Sequence, residues 1–477
     1  MSAIRSSFLK VFNQSLCGKD FAEQNVLWKQ VKNPIIENIP GQTNKLVTFL
    51  YRMQPDELDG KTSIYFLSGV AGYDFTEVSR FSIIPGTDIA FITLELPPQL
   101  RTAYSLVKVH DTDRPDDQGN APVVFPRLVR ENTDFESLLN HLFAMERVIP
   151  DPLNDNTIVY YKDMDKQDEL YGKESILELP LAPSLKDIPL TSEAAKKARD
   201  QLRKEGRLIQ DTVNFSGTSL KDLPDYKGSC RKYWVYFPPN YEQGATTPYS
   251  LMLFLDGSSY LDLLPAHVYL DRMIHNREIL PCVAVFLDSA DGISRAMEYN
   301  CHDRFTQFIC HDFLDSLRTK HQLNITRDSN FSTIIGTSFS GLAAFYAAIS
   351  APVVFGHCIS QSPALAAQPL SKLDKMIQDA SSHLKHSSFA FEMGSCENII
   401  AKFEYEDGTV QSCSSLSVVR HVFKAMQRIT HNVSLYEFVG GHNYVCWQVS
   451  LYDRLKDVGQ RQLKMGEDPS YSCGKSE

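Results

Sequence analysis

A serine, a glutamate and a histidine in this chain stand in three loops whose types and order suit acyl transfer. Ser338 lies in Ile334-Ile335-Gly336-Thr337-Ser338-Phe339-Ser340-Gly341. An apolar run, Phe331 to Ile335, precedes the turn, and the strong helix formers Leu342-Ala343-Ala344-Phe345-Tyr346-Ala347-Ala348 follow it. Strand, tight turn and helix with a serine at the turn make a nucleophile elbow. Such a turn lifts the hydroxyl out of the sheet edge and aims the Phe339 amide at a developing oxyanion. The usual pattern closes on a glycine two residues after the serine. Here Ser340 holds that place and the glycine comes one step later, at Gly341.

The loop Gly394-Ser395-Cys396-Glu397-Asn398 follows the strand-like Phe391-Glu392-Met393, and Gly440-Gly441-His442-Asn443-Tyr444 follows Phe438-Val439. Serine, acid, histidine is the chain order of an α/β-hydrolase triad. Ser338 would attack a carbonyl, and His442 would take its proton and return it to the leaving alcohol. Glu397 would accept from the other imidazole nitrogen. Glu392 is the neighbouring carboxylate, set within the strand, and a Ser–His dyad without an acid is the third arrangement. A second oxyanion donor is expected in Asp256-Gly257-Ser258-Ser259, from the amides of Gly257 and Ser258. No metal is expected: Cys301-His302 and Cys310-His311 lack the spacing of a ligand set.

Loops like these need strands that end on one side of a sheet. From about residue 230, strand-like runs at 233–237, 250–255, 283–287, 332–335, 357–360, 389–393 and 435–439 alternate with helical stretches near 304–320, 341–350, 370–386, 415–430 and 444–457. Several runs are apolar on both faces, as in a mostly parallel sheet covered by helices on both sides. Ligand chemistry in such sheets sits beyond the carboxyl ends of the strands. Upstream the period is two. The runs at 46–51, 63–67, 78–84, 89–94 and 104–107 are β-branched and aromatic, and turns such as Asp59-Gly60 and Pro85-Gly86 separate them. That spacing predicts a β-sandwich. Residues 1–155 are therefore expected to form an N-terminal helix plus a β-sandwich domain of immunoglobulin or E-set type, 156–225 a connector with a charged, solvated helix from Thr191 to Gln210, and 226–477 an α/β-hydrolase catalytic domain. Thr133-Asp134-Phe135-Glu136 reads as a capping box opening a helix to about Met145.

A formal net charge of −10 and a pI near 5.7 argue against general binding to nucleic acid or anionic membranes. An anionic substrate would need a local basic pocket. The ten cysteines show no C-x-x-C spacing and suit free thiols in a reducing compartment. No apolar run approaches the roughly 18 residues of a membrane span, and the N-terminus lacks the apolar core of a signal peptide.

At these residues the sequence resembles the enterochelin (enterobactin) esterase family, an α/β-hydrolase branch akin to esterase D. Gly440-Gly441-His442 with Cys446-Trp447 is similar to its histidine block, and Leu255-Asp256-Gly257 to its oxyanion loop. Asp288 through Arg295, Glu298 and Cys301 to Phe305 is similar to its substrate-side segment, and Ser360-Gln361-Ser362 also fits. Residues 46–52, Gly86-Thr87-Asp88, Tyr104 and Asp151-Pro152-Leu153-Asn154 resemble its N-terminal domain. The resemblance implies cytoplasmic hydrolysis of the trilactone of a ferric catecholate siderophore, with no cofactor beyond the iron the substrate carries. It implies Ser338 and His442 as the catalytic pair and Arg295 and Glu298 on the substrate side. Separately, the N-terminal domain is expected to roof the site, because it precedes the oxyanion loop and the pocket otherwise lacks a large lid. Ser340, His302 and Asp303 depart from the family pattern. Two other readings stand beside this one: an esterase for a lipid, thioester or xenobiotic ester, and a non-catalytic esterase-like binding protein.

Overall fold

The structure is a computed structural model that describes residues 5–71, 77–110, 147–161, 170–185, 188, 190–215, 230–397, 400–404 and 410–467. The helix expected from Thr133 lies outside them. The chain divides into two compact units, residues 1–184 with 439–446, and residues 185–438 with 447–477.

The second unit is built on eight strands in the order Leu208–Asn214, Cys230–Tyr236, Cys282–Leu287, Ser250–Leu255, Ser332–Thr337, His357–Gln361, Ser388–Gly394 and Val433–Phe438. Pairing is antiparallel as far as Cys282–Leu287 and parallel beyond it. Every residue of Ser250–Leu255, Cys282–Leu287 and Ser332–Thr337 is buried, and Leu251–Leu255 and Cys282–Leu287 read as unbroken apolar runs. Alternate side chains supply each face. Leu251, Leu253, Val283, Val285 and Ile334 join a core with Phe313, Leu317, Leu342, Phe345, Leu373 and Val419 from helices on one side. On the other side Phe254 packs on Tyr260 at 5.0 Å, and Gln462 of the helix Tyr444–Glu467 donates to Thr333 Oγ1 at 3.3 Å.

Residues 156–225 are not a connector. Thr157–Tyr161 and Leu170–Glu178 pair with each other, and Leu170–Glu178 pairs with Arg101–His110, so both belong to the first unit. The charged helix stops at Lys204, because Gly206 takes φ 69° and turns the chain into the edge strand Leu208–Asn214. Nor is that helix simply solvated: Ala195, Arg199 and Leu202 are buried, and Arg199 pairs with buried Asp262.

The first unit holds two sheets. One runs Ile35–Asn38, Lys45–Arg52, Ile89–Leu96, Ser82–Ile83; the other runs Thr62–Leu67, Arg101–His110, Leu170–Glu178, Thr157–Tyr161, with Val148–Ile149 added to Arg101–His110. Phe49 of the first sheet meets Phe66 and Tyr104 of the second at ring distances of 4.7 and 5.0 Å. Asp151 is a buried hub, accepting from Tyr104 Oη and Asn33 Nδ2 at 2.8 Å each.

Glu392 is fully buried in the large sheet. Its Oε2 accepts from Gln361 Nε2 at 2.7 Å and Ser450 Oγ at 2.8 Å, and its Oε1 faces Arg454 Nε at 3.4 Å. Burial pushes its pKa up to about 7 against these hydrogen bonds and the Arg454 charge, while the Asp453 carboxylate raises it further. A raised carboxyl means that the folded state keeps a proton that the unfolded chain releases above its ordinary 4.5. Stability is therefore greatest below that value and falls as pH rises toward 7. Glu392→Gln is expected to flatten the loss of Tm between pH 4.5 and 7. Melting curves of the two proteins across this range check it, and parallel profiles would rule Glu392 out as the source.

Candidate active site

Ser338 joins the strand Ser332–Thr337 to the helix Phe339–Ser350 with φ 57° and ψ −122°. Such a backbone costs a non-glycine residue about 1–3 kcal/mol. Neighbours hold it there: Ser338 N–H donates to Gln361 O at 3.0 Å, and Ala364 N–H donates to Ser338 O at 2.9 Å. Gly336 and Gly341 are the crowded positions. A Cβ on Gly336 would stand 2.1 Å from Ser340 O, and one on Gly341 would stand 3.1 Å from Gln361 O. The side chain of Ser340 is accommodated, and its hydroxyl closes the turn. Ser340 Oγ donates to Thr337 O at 2.7 Å and accepts from Thr337 N–H at 2.9 Å.

The strand Ser250–Leu255 neighbours the elbow strand, with Phe254 opposite Ile335. After it, Asp256 takes φ 59° and caps the short helix Gly257–Asp262. Gly257 must lack a side chain, since a Cβ would stand 2.5 Å from Phe286 C. Ser258 does not serve as the sequence suggested. Its N–H and hydroxyl both donate to Asp288 Oδ1, at 3.1 and 2.8 Å. Burial outweighs these bonds and pushes Asp288 up to about 6. Among the described residues, no protein acceptor is recorded for the Phe339 and Gly257 amides.

Arg295 stands beside this pair. Its Nε and Nη2 form a fork on Asp256, with Nε 2.9 Å from Oδ1 and Nη2 2.7 Å from Oδ2. The guanidinium lies 5.8 Å from the Tyr299 ring and 5.9 Å from the Phe339 ring. So Arg295 joins the oxyanion loop to the elbow and makes no surface pair with Glu298. The placement of Glu298 on the substrate side is corrected. Both of its oxygens are taken by Arg231, at 2.6 and 2.9 Å, in a pair with no solvent exposure on either side chain. The rings of Phe215, Phe305 and Phe308 surround that guanidinium at 5.4 to 5.9 Å. Sequence spacing offered Arg295 as the partner of Glu298 at i,i+3, whereas the true partner is 67 residues away.

Glu397 is buried in the loop after Ser388–Gly394, and its Oε1 accepts from Gly394 N–H at 2.8 Å and Ser362 Oγ at 2.7 Å. Ser395 N–H donates to Phe438 O at 2.8 Å, which ties this loop to the end of the last strand. Of the two candidate acids, Glu397 occupies the loop at the strand ends, and Glu392 is locked in the sheet. Ser362, Gln361 and Trp447 had been noted only as parts of a family pattern. The signal for Gln361 and Ser362 was a run of polar residues at the end of a strand that is buried at every position.

His442 lies between Val433–Phe438 and Tyr444–Glu467, in the segment that clusters with the first unit. Arg101 N–H donates to Val439 O at 3.4 Å, Cys446 Sγ donates to Arg101 O at 3.0 Å, and Asn443 Nδ2 donates to Thr102 Oγ1 at 3.0 Å. The Arg101 guanidinium also reaches Val445 O.

Removing one partner of a buried ion pair costs about 3–5 kcal/mol. Glu298→Ala is accordingly expected to lower stability on that scale in urea melts, with KM of the remaining folded enzyme unchanged. A raised KM at unchanged stability would restore Glu298 to the substrate side.

Two family models match this chain: a putative esterase over residues 227–458, and the N-terminal domain of enterochelin esterase over residues 46–188. An iron(III) enterobactin esterase of Dickeya dadantii is 23% identical over 96% of this chain and 97% of its own length. An iron(III) salmochelin esterase of Escherichia coli O6:H1 is 24% identical over 94% and 97%. The crystal structure of the enterobactin esterase of Shigella flexneri, in the presence of enterobactin, superposes with a TM-score of 0.61 at 20% identity, covering 91% of this chain and 98% of that one. The ferric enterobactin esterase of Salmonella typhimurium gives 0.62 at 18%, covering 92% and 100%. At such identities the superpositions speak for the α/β-hydrolase fold alone. The two models, in order along one chain that aligns with nearly the full length of these relatives, place it in the enterochelin esterase family.

Proposed function

We propose that this carboxylic ester hydrolase opens the trilactone of a ferric catecholate siderophore of the enterobactin type and so releases its iron. The observation that carries this reading is the alignment of both domains with full-length relatives named for iron(III) enterobactin and iron(III) salmochelin. The elbow supports the chemistry, because it holds a buried strand end in a strained turn with a serine at its apex.

In this mechanism Ser338 Oγ adds to a lactone carbonyl as His442 accepts its proton. The tetrahedral oxyanion takes hydrogen bonds from the Phe339 and Gly257 amides, each such donor being worth about 10²–10³ in rate. Collapse breaks the ring C–O bond, and His442 returns the proton to the departing seryl hydroxyl. Water, activated by the same imidazole, then frees the acyl group from Ser338. Glu397 orients the imidazole. Arg295 lends positive charge beside the elbow on an otherwise acidic chain, which suits a catecholate anion. Iron enters and leaves as cargo of the substrate, and no resident cofactor takes part.

The two antiparallel sheets of the first unit form a β-sandwich in this reading, supported by the contact of Phe49 with Phe66 and Tyr104. Among the described residues no helix is long and apolar enough to cross a membrane. Cys282, Cys310 and Cys358 are buried free thiols, which suits the cytoplasm.

Ser338→Ala and His442→Ala are each expected to lower kcat on a nitrophenyl ester by about 10⁴–10⁶, the range seen when a serine hydrolase loses either residue, with the melting temperature retained. Chromatography of ferric and metal-free enterobactin after incubation should show linear dihydroxybenzoyl-serine products from the wild type only. A wild type that cleaves nitrophenyl esters but leaves every catecholate trilactone intact would end the siderophore assignment and keep the esterase.

A further inference from the structure

The acid loop is held by a side chain from a different strand. Ser362 follows the strand His357–Gln361, which lies between the elbow strand and the acid strand in the sheet. It has φ 39°, a left-handed conformation that a serine rarely adopts, and it is 1% exposed. Three hydrogen bonds converge on it. Ser362 N–H donates to Glu392 O at 2.8 Å. The Trp447 indole N–H donates to Ser362 Oγ at 2.8 Å, and Ser362 Oγ donates to Glu397 Oε1 at 2.7 Å. The indole bond fills one lone pair of the hydroxyl and leaves its proton to point at the carboxylate. Trp447 is itself 3% exposed, so this relay lies out of water.

We propose that Ser362 is a positioning residue for the reaction, fixing Glu397 as an oriented carboxylate through the relay Trp447 Nε1–H to Ser362 Oγ–H to Glu397 Oε1. The inference rests on Glu397 being the acid that orients His442. Oε1 receives both the Ser362 hydroxyl and the Gly394 amide. Two donors on one oxygen fix the direction in which the carboxylate points. The left-handed backbone at Ser362 is the local cost of placing that hydroxyl. Its neighbour Gln361 supplies the carbonyl that receives the nucleophile's amide. Two consecutive residues at the end of one strand thus touch the elbow and the acid.

The test is a double-mutant cycle in the full chain, with a nitrophenyl ester as substrate. Ser362→Ala is expected to lower kcat about 10–100-fold with KM within twofold and to move the acidic limb of the kcat/KM profile. Glu397→Gln should lower kcat by a similar or greater factor. Adding Ser362→Ala to Glu397→Gln should then cost less than about threefold, because the hydroxyl acts through the carboxylate. Trp447→Phe, which keeps the ring and removes the N–H, should fall between wild type and Ser362→Ala. Losses that multiply in the double mutant would make Ser362 a structural residue and overturn the proposal. So would Ser362→Ala with kcat within twofold of wild type. If Glu397→Gln retains full activity while Ser338→Ala has none, the proposal fails at the acid and the serine esterase reading stands.

Discussion

The whole site depends on a backbone that would not choose its own conformation. Ser338 is held at positive φ by the crowding of a strand and a helix that meet at Gly336 and Gly341, with Gln361 O and Ala364 N–H pinning its peptide groups. The strain buys position: a serine set at the apex of a tight turn between strand and helix. Only a closely packed sheet can enforce this, since local propensity opposes it. The full burial of Ser332–Thr337 and its neighbour Ser250–Leu255 is thus a functional requirement as well as a source of stability. Ser340 belongs to the same turn. Its hydroxyl bonds to both the N–H and the C=O of Thr337, so the departure from the family's glycine adds a clasp to the elbow.

Around this turn the charged residues divide into two kinds. Arg231–Glu298 and Arg199–Asp262 are buried pairs that fasten elements together, and a pair of that sort brings specificity of packing more surely than net stability. Arg295–Asp256 is different. It is partly exposed, and it lies against Phe339 while holding the residue that caps the oxyanion helix. Its position ties Asp256, at the start of the helix Gly257–Asp262, to Phe339 at the elbow. A carboxylate already paired with Arg295 also moderates the pull of that guanidinium on any anionic ligand.

Much of this was legible in the residues. Strands buried on both faces announce themselves as apolar runs, and the order elbow, acid loop, histidine loop follows from sequence because each loop directly succeeds a strand. What was hidden depends on contacts between residues distant in the chain. The i,i+3 spacing of Arg295 and Glu298 suggested a pair, but Arg231 on another strand claimed the glutamate. The amide of Ser258 looked available until the neighbouring strand brought Asp288 against it. The 156–225 stretch looked like a connector because Thr157–Tyr161 and Leu208–Asn214 are half-exposed edge strands of two different sheets. Glu392 and Glu397, five positions apart, could be told apart only by what surrounds each. One carboxyl sits in the sheet with Gln361, Ser450 and Arg454, and the other in a loop under Ser362.

The histidine loop shows why the first unit is more than an appendage. By chain order, His442 sits between the last strand and the last helix of the catalytic unit. By packing, residues 439–446 belong with the N-terminal sheets. Arg101 alone supplies a backbone amide, a carbonyl and a guanidinium to that segment, at Val439, Cys446 and Val445, and Thr102 receives Asn443. A loop that opens on two glycines has little rigidity of its own. Its geometry must be imposed from outside, and the start of the strand Arg101–His110 imposes it. Within the first unit, then, the strand Arg101–His110 holds the segment that carries His442.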